Sequence, residues 1–234
     1  MLYMNIRLPS LSILIPAYKD EDTIELVVKR AVQAARAVTS VFEIIVLNDA
    51  SPDRTGMVVQ RLKKQIPQLK VLTHTVNQGY GRTFSELYSS GIYEWLFTIP
   101  GDYQIDPMEI KKLVPYTNRA DMIIGWRVDR QDNEKRKQQS TVYNTFLRLL
   151  FGISIHDINS IRLMKRDIMK HRVLTVRSAF VEAQLTIGAI RDGFIVIERT
   201  IVHKKRITGG ASGGKLSIIL PVIWDMIRYK MHTA

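Results

Sequence analysis

Short apolar runs alternate with segments of helical period over the first half of the chain. Leu11 to Ile15, Phe42 to Leu47, Lys70 to His74, Glu94 to Ile99 and Asp121 to Gly125 read as buried strands. The intervals between them carry helices, so the pattern predicts a βαβ series on a mainly parallel sheet. The first helix is predicted to start at an Asp22 cap, with Glu25 completing a capping box, and to bury Ile24, Val27, Val28, Ala31 and Ala35 on one face. The second is predicted to start at a Ser51 cap with Pro52 in the first turn, where a missing N–H costs nothing. Both starts lie just past strand C-termini, the edge where open α/β sheets bind ligands.

After Gly125 the rhythm changes. Arg127 to Lys137 is charged and without apolar period, and it reads as a mobile loop before a helix from Ser140 to Leu150. Segments 153–164 and 194–202 read as further strands, 166–190 as largely helical, and Thr208 to Gly214 as a flexible loop. Near the C-terminus Leu216, Ile219, Leu220, Ile223 and Ile227 recur at helical spacing, with Lys215, Arg228 and Lys230 near the ends. That stripe is expected to lie in a membrane interface or to pack on the protein's own core or a second subunit, with Pro221 bending or restarting the helix. The predicted organisation is one domain over 1–215 and an amphipathic helix over 216–234.

At 234 residues the chain suffices for one substantial core but not for two comfortable domains. Its 34 Lys+Arg against 22 Asp+Glu give a net charge of +12, which points to an anionic partner. Nucleic acid is not expected, because no reader motif and no aromatic series interleaves with the basic residues. With no cysteine, any metal must sit on oxygen or imidazole ligands, and the histidines show no ligand spacing. The N-terminus lacks signal-peptide features, and Ser217 to Trp224, interrupted by Pro221, falls short of the roughly 20 apolar residues of a membrane span. A cytoplasmic protein that does not cross the bilayer is expected.

Three strand ends carry chemistry. Pro16-Ala17-Tyr18-Lys19-Asp20 places a ring and a carboxylate at the binding edge, able to stack a base and bond its polar edge, or to serve as a plain strand-to-helix turn. Asp49 can accept from a base N–H or a ribose hydroxyl, or act as a turn carboxylate. Asp102 and the neighbouring amide Gln104 supply hard oxygen ligands that suit Mg2+ or Mn2+ on a diphosphate, and Gly101 lets the backbone approach that ligand. An Asx turn is the alternative there.

Taken in order, IPAYKDEDTI, VLNDASPDRT, NQGYGRT, PGDYQIDP and GWR resemble the family 2 glycosyltransferases, in particular polyprenyl-phosphate sugar transferases related to dolichyl-phosphate mannose synthase. The resemblance implies a Rossmann-like α/β nucleotide-sugar-binding fold of GT-A type, its mainly parallel central sheet flanked by helices. It also implies roles for residues. Pro16, Tyr18 and Asp20 match the first nucleotide-contact motif, and Asp49 matches the acid that bonds the base. Asp102 and Gln104 match the second acid and the glutamine of an Asp-x-Asp-x-Gln metal motif. Gly125 and Arg127 match Gly-x-Arg, while Arg206, Gly209 and Ser212 resemble a late Arg-x-x-Gly plus Ser signature. The sequence departs from the pattern at three points: Pro100 replaces the first metal aspartate, Lys19 stands where asparagine is usual, and the Asp157 to Arg162 spacing is one residue short.

The implied reaction is metal-assisted, inverting transfer of a sugar from a GDP- or UDP-sugar to a polyprenyl phosphate, by a protein held peripherally on the cytosolic membrane face. Arg127 and Arg206 would stabilise the departing diphosphate, and Arg130 belongs to the basic groups expected to grip phosphates. A hydroxyl acceptor would need a positioned carboxylate, for which Glu182 is the candidate; a solvated helix carboxylate is its ordinary alternative. Transfer to a soluble glycan and a non-catalytic nucleotide-binding protein remain the competing readings. Oligomeric state, including a homo-oligomer, is left open.

Overall fold

The computed structural model describes residues 6–132, 134–170, 172–206 and 216–233. Its first half follows the apolar pattern closely: β1 (Leu11–Ala17), α1 (Ile24–Val38), β2 (Phe42–Asn48), α2 (Thr55–Lys63), β3 (Leu69–Thr73), α3 (Gly79–Ser90) and β4 (Trp95–Thr98). Short helical turns around α4 (Ile110–Leu113) lead to β5 (Met122–Trp126), then α5 (Glu134–Phe151), β6 (Arg162–Lys165), α6 (Val181–Arg191), β7 (Val196–Thr200) and α7 (Leu216–Thr233).

The strands form a 7-stranded sheet in the order β3-β2-β1-β4-β6-β5-β7. Only β6 runs against the rest. Because the chain leaves β1 toward β2 and β3 and then returns to place β4 on the other side of β1, the crevice of reversed strand order lies between the C-terminal ends of β1 and β4. One face of the sheet is covered by α1, α2 and α4, with Ile24, Val27, Val28, Val59, Leu62, Ile110 and Leu113 in its cluster. The other is covered by α3, α5, α6 and α7, through Phe84, Leu87, Leu147, Val181, Leu185, Val222 and Met226.

Several expected boundaries move, each for a tertiary reason. The first helix starts at Ile24 and its N-cap is Thr23, not Asp22. Thr23 Oγ1 does not cap its own helix; it donates to the Gly101 carbonyl at 2.7 Å and ties α1 to the loop after β4. Ser51 and Pro52 lie ahead of α2, whose first residue is Thr55. Ser51 Oγ instead accepts from Lys19 N at 2.7 Å and donates to Asp53 Oδ1 at 2.6 Å, so it joins the β1 and β2 loops. Of 153–164 only the last residues form a strand; Ile153, Ile155 and Ile158 are buried in irregular chain. Over 166–190, a short 3-10 turn at Arg166–Met169 and α6 are the only helical parts among the described residues. The charged stretch after Gly125 is not a loop as far as Lys137, because α5 begins at Glu134.

Pro221 does not restart the C-terminal helix, which runs on as α7 with the proline inside it. Val222 and Met226 face the core, while Leu220, Ile223, Trp224, Ile227 and Met231 are exposed. The side chains of Leu216 and Ile219 lie outside those described, as does Lys215. No helix among the described residues is long and apolar enough to cross a membrane.

Candidate functional site

Each of the three strand ends holds a non-glycine residue in the left-handed region: Lys19 (φ 61°) after β1, Ala50 (φ 50°) after β2 and Tyr103 (φ 55°) after β4. Such backbone costs free energy and gathers at binding sites. Asparagine tolerates this conformation better than lysine, which is a physical basis for the asparagine expected where Lys19 stands. The loops are bound to one another: Asp20 N donates to Thr55 Oγ1 at 2.9 Å, and Tyr18 N to Asp20 Oδ2 at 2.9 Å. Pro16 closes β1 against Leu47 of β2, and the Tyr18 ring is exposed above the edge.

Asp20 and the loop after β4 meet at Gly101. A Cβ there would lie 2.8 Å from Asp20 Oδ2 and 3.1 Å from the Pro16 carbonyl, so any side chain would push the Asp20 carboxylate out of its place. Burial, with nearby Asp102 adding to it, raises the Asp20 carboxyl to about 7. Asp102 Oδ1 accepts from Gln104 N at 3.1 Å, while Asp102 Oδ2 takes Arg206 Nη2 at 2.7 Å. Arg206 also reaches Gln104 Oε1 at 3.4 Å. The expected metal ligands thus sit together at the strand edge with an arginine across them, and no group of three or more potential ligands occurs among the described residues. Gly209 and Ser212 lie outside the described residues.

Asp49 has a task the sequence did not reveal. Its Oδ1 accepts from Gln78 N at 2.7 Å and its Oδ2 from Gly79 N at 3.0 Å, so it caps α3. His74 Nδ1 donates to the same Oδ1 at 2.6 Å, and Nε2 lies 3.2 Å from Glu86 Oε2. Burial opposes charge on His74, but the two carboxylates outweigh it and hold its pKa above the ordinary value. His74 thus braces Asp49 in place, and Asp49 offers a base only the lone pairs left on its carboxylate.

Arg127 and Arg130 are not the free cations expected. Arg127 grips Asp157 through Nε and Nη2, both at 2.7 Å, and Arg130 holds Asp132 Oδ2 at 3.0 and 2.7 Å and Ser140 Oγ at 2.6 Å. Arg136 Nη1 takes the other Asp132 oxygen at 3.0 Å. Gly125 lets this segment pass the Ile161 and Ile201 side chains, each 2.7 Å from where a Cβ would stand. The region remains electropositive: burial, then Arg130, Arg206 and Arg127, lower the Arg136 pKa against the pull of Asp132. Burial, then Arg127, push His203 down to about 4. Neutral His203 accepts from Gln131 N at 3.1 Å.

Glu182 is not a solvated carboxylate and is not open to an acceptor. It lies 2.8 Å from Arg162 Nη2, with side chains 2% and 0% exposed, and Tyr88 Oη donates to it at 2.7 Å. Arg162 also donates to Thr186 Oγ1 at 3.0 Å and to the Ile158 carbonyl at 2.6 Å. No local sequence signal joins these residues; only the sheet order brings β6 against α6.

The loops of this α/β fold meet between the C-terminal ends of β1 and β4, where the strand order reverses. The glycosyl transferase family 2 model matches residues 12–173, and the chain belongs to that family. It is 25% identical over 226 residues to undecaprenyl-phosphate 4-deoxy-4-formamido-L-arabinose transferase of Pectobacterium atrosepticum, covering 93% of this chain and 66% of that protein. It is 28% identical over 211 residues to polyprenol monophosphomannose synthase of Mycolicibacterium smegmatis, covering 84% of this chain and 78% of that one. Glucosyl-3-phosphoglycerate synthase of Mycobacterium tuberculosis, solved with Mn2+, UDP and phosphoglyceric acid, superposes with a TM-score of 0.75 at 14% identity, over 95% of this chain and 78% of that chain. The fold is GT-A type. The chain spans about two thirds of the length of the arabinose transferase, 66%.

Proposed function

We propose that the protein transfers a sugar from a nucleotide diphosphate sugar to a polyprenyl phosphate at a membrane surface, with inversion at the anomeric carbon. The observation that carries this reading is the surplus of cations over Asp132, Asp157 and Asp102, beside the strand-end cluster of Asp20, Asp102 and Gln104. An anionic donor and an anionic acceptor both suit such a site. The sealed Glu182–Arg162 pair removes the base that a hydroxyl acceptor would use, and an acceptor phosphate, already ionised, needs none. That favours the lipid phosphate over a soluble glycan. The relatives named for undecaprenyl phosphate and polyprenol agree.

The residues present fit a divalent cation. Asp102 and Gln104 offer hard oxygens, and burial, with Asp102 adding to it, raises the neighbouring Asp20 carboxyl to about 7, a pressure that a cation beside Asp102 would relieve. Asp102 and Gln104 would hold Mg2+ or Mn2+, which when bound supplies charge to the leaving diphosphate. Arg206 stands across both ligands and is placed to turn from Asp102 to the diphosphate. Tyr18 and Asp49 would flank the base of the GDP- or UDP-sugar, guanine or uracil. As the acceptor oxygen bonds to the anomeric carbon, the bond on the opposite side breaks and its electrons leave with the diphosphate. Membrane contact is assigned to α7, whose exposed Leu220, Ile223, Trp224, Ile227 and Met231 form one apolar face.

Release of nucleotide from GDP- and UDP-sugars, with and without short-chain polyprenyl phosphate, tests the reading. One sugar nucleotide is expected to turn over only with the lipid phosphate; turnover with a glycan hydroxyl instead overturns it. Asp102→Asn is expected to abolish metal-dependent binding of the nucleotide diphosphate in calorimetry, and unchanged manganese-dependent affinity would remove the metal assignment.

A further inference from the structure

Asp49 is a nearly filled acceptor. Gln78 N donates to its Oδ1 at 2.7 Å and His74 Nδ1 to the same oxygen at 2.6 Å, while Gly79 N donates to Oδ2 at 3.0 Å. A carboxylate has about four lone-pair sites, so one is left, on Oδ2. The Asp49 side chain is only 7% exposed. A base can therefore meet it through a single bond and not through a fork.

Two of these donors are backbone amides at the start of α3, present whatever the side chains there. The third depends on residue type. His74 stands just past β3, where its own N donates to the Asn48 carbonyl at 3.0 Å and so holds the ring beside Asp49. On the far side of the ring, Nε2 lies 3.2 Å from Glu86 Oε2, and Glu86 is about two turns along α3 from Gly79, on the same face. With a carboxylate at each nitrogen, the ring cannot turn over without setting a carbon against each of them. The imidazolium, favoured by both carboxylates, donates to both. Nδ1 is thereby fixed on Asp49, and the lone pair it occupies is closed to a ligand.

Bases differ in how many donors they bring to such a group. Uracil offers one ring N–H between two carbonyls. Guanine offers a ring N–H and an amino group side by side, a pair that a carboxylate with two open lone pairs takes as a fork. Cytosine turns an acceptor, N3, where uracil has its N–H. One open lone pair matches uracil, and the second donor of guanine would be desolvated there without a partner.

We propose that His74 is a specificity-determining residue: by occupying Oδ1 of Asp49 it leaves the base a single acceptor and selects uracil over guanine. It acts through Asp49 and is a positioning residue. The selection rests on the assignment of Asp49 to the base, and it narrows the donor to a UDP-sugar. The test is calorimetric titration of the full chain, without metal, with UMP, CMP, GMP and IMP, the last a purine nucleotide with the ring N–H of guanine but no amino group. UMP is expected to bind at least about tenfold more tightly than GMP, the scale of one donor left unpaired, with CMP also weak and IMP tighter than GMP. His74→Phe, which fills the space of the ring without a donor, is expected to bring IMP and GMP to within about threefold of each other. His74→Asn, whose amide nitrogen stands in the place of Nδ1, is expected to restore most of the difference. A residue that only supports the fold would lower all four affinities together and leave their ratios as they were. That outcome, or equal binding of IMP and GMP by the wild type, overturns the role of His74 alone. Equal binding of UMP and CMP shows that the base does not meet Asp49 and overturns the assignment on which the selection rests.

Discussion

Two arginine–carboxylate pairs of nearly equal length have opposite consequences. Arg162–Glu182, at 2.8 Å, has side chains 0% and 2% exposed and is surrounded by Tyr88, Thr186 and backbone carbonyls. Arg206–Asp102, at 2.7 Å, has side chains 29% and 16% exposed and stands at the open edge of the sheet. In the first pair neither charge can reach water, so losing one partner strands the other at low dielectric, a cost of about 3–5 kcal/mol. In the second, water and a ligand can replace either partner, and such pairs contribute only about 0–1 kcal/mol. Chemistry alone does not separate a lock from a latch; burial does.

The sharpest way to break this comparison is Glu182→Gln. It keeps shape and an acceptor for Tyr88 but leaves Arg162 charged and unpaired, so urea unfolding is expected to show a loss of about 3–5 kcal/mol. A loss within about 1 kcal/mol would mean that Arg162 finds water or another acceptor, and the contrast would collapse. Asp49→Ala comes next. It removes the carboxylate that caps α3 and that we propose flanks the base, and nucleoside monophosphate binding without metal is expected to weaken by about 1–3 kcal/mol. Equal affinity in the two proteins would place the base elsewhere.

The same division between burial and edge explains what could be read from the sequence. β1 to β5 announce themselves because each is a short apolar run, and the strand-end positions of Tyr18, Asp49 and Asp102 follow from where those runs stop. Failures arise where a side chain serves a distant segment. Thr23, not Asp22, begins α1 because its hydroxyl reaches Gly101, and Ser51 leaves α2 for the Lys19 amide. Irregular chain at 153–161 looked like a strand because Ile153, Ile155 and Ile158 are apolar, yet Glu198 binds the backbone amides of His156 and Asp157, and Asp157 turns toward Arg127. Arg127 and Glu182 could not be assigned from composition, since a charge is free or locked according to partners that only the fold supplies.

Asp20 offers a smaller, pH-dependent test at the edge itself. Its folded pKa of about 7 lies above the value of 3.8 taken for the unconstrained group, so the folded state holds the proton more tightly. Its contribution to stability is fully present below the unfolded pKa and is lost as pH rises through the folded one. Asp20→Asn removes that loss. At about pH 8 it is expected to raise Tm by about 2–4 °C, roughly 1 kcal/mol for a chain of this size, and near pH 4 to change it little. A gain that is the same at both pH values would show that ionisation of Asp20 is not the cause.

Arg206→Ala carries the smallest expected effect on stability and the clearest one on function. The pair is partly exposed and Asp102 keeps its bond from Gln104 N at 3.1 Å, so unfolding free energy is expected to fall by less than about 1 kcal/mol. The variant frees both Asp102 and Gln104 from a competing cation, and Mn2+ alone, titrated by electron paramagnetic resonance, is expected to bind more tightly than to the wild type. Affinity for the nucleotide diphosphate in the presence of manganese is expected to fall, because the guanidinium no longer meets the leaving phosphates. These opposite signs distinguish a latch that trades one anion for another from a cation that merely holds the loop. If Mn2+ affinity stays unchanged while stability falls by several kcal/mol, Arg206 is a structural residue like Arg162, and burial fails to separate the two pairs.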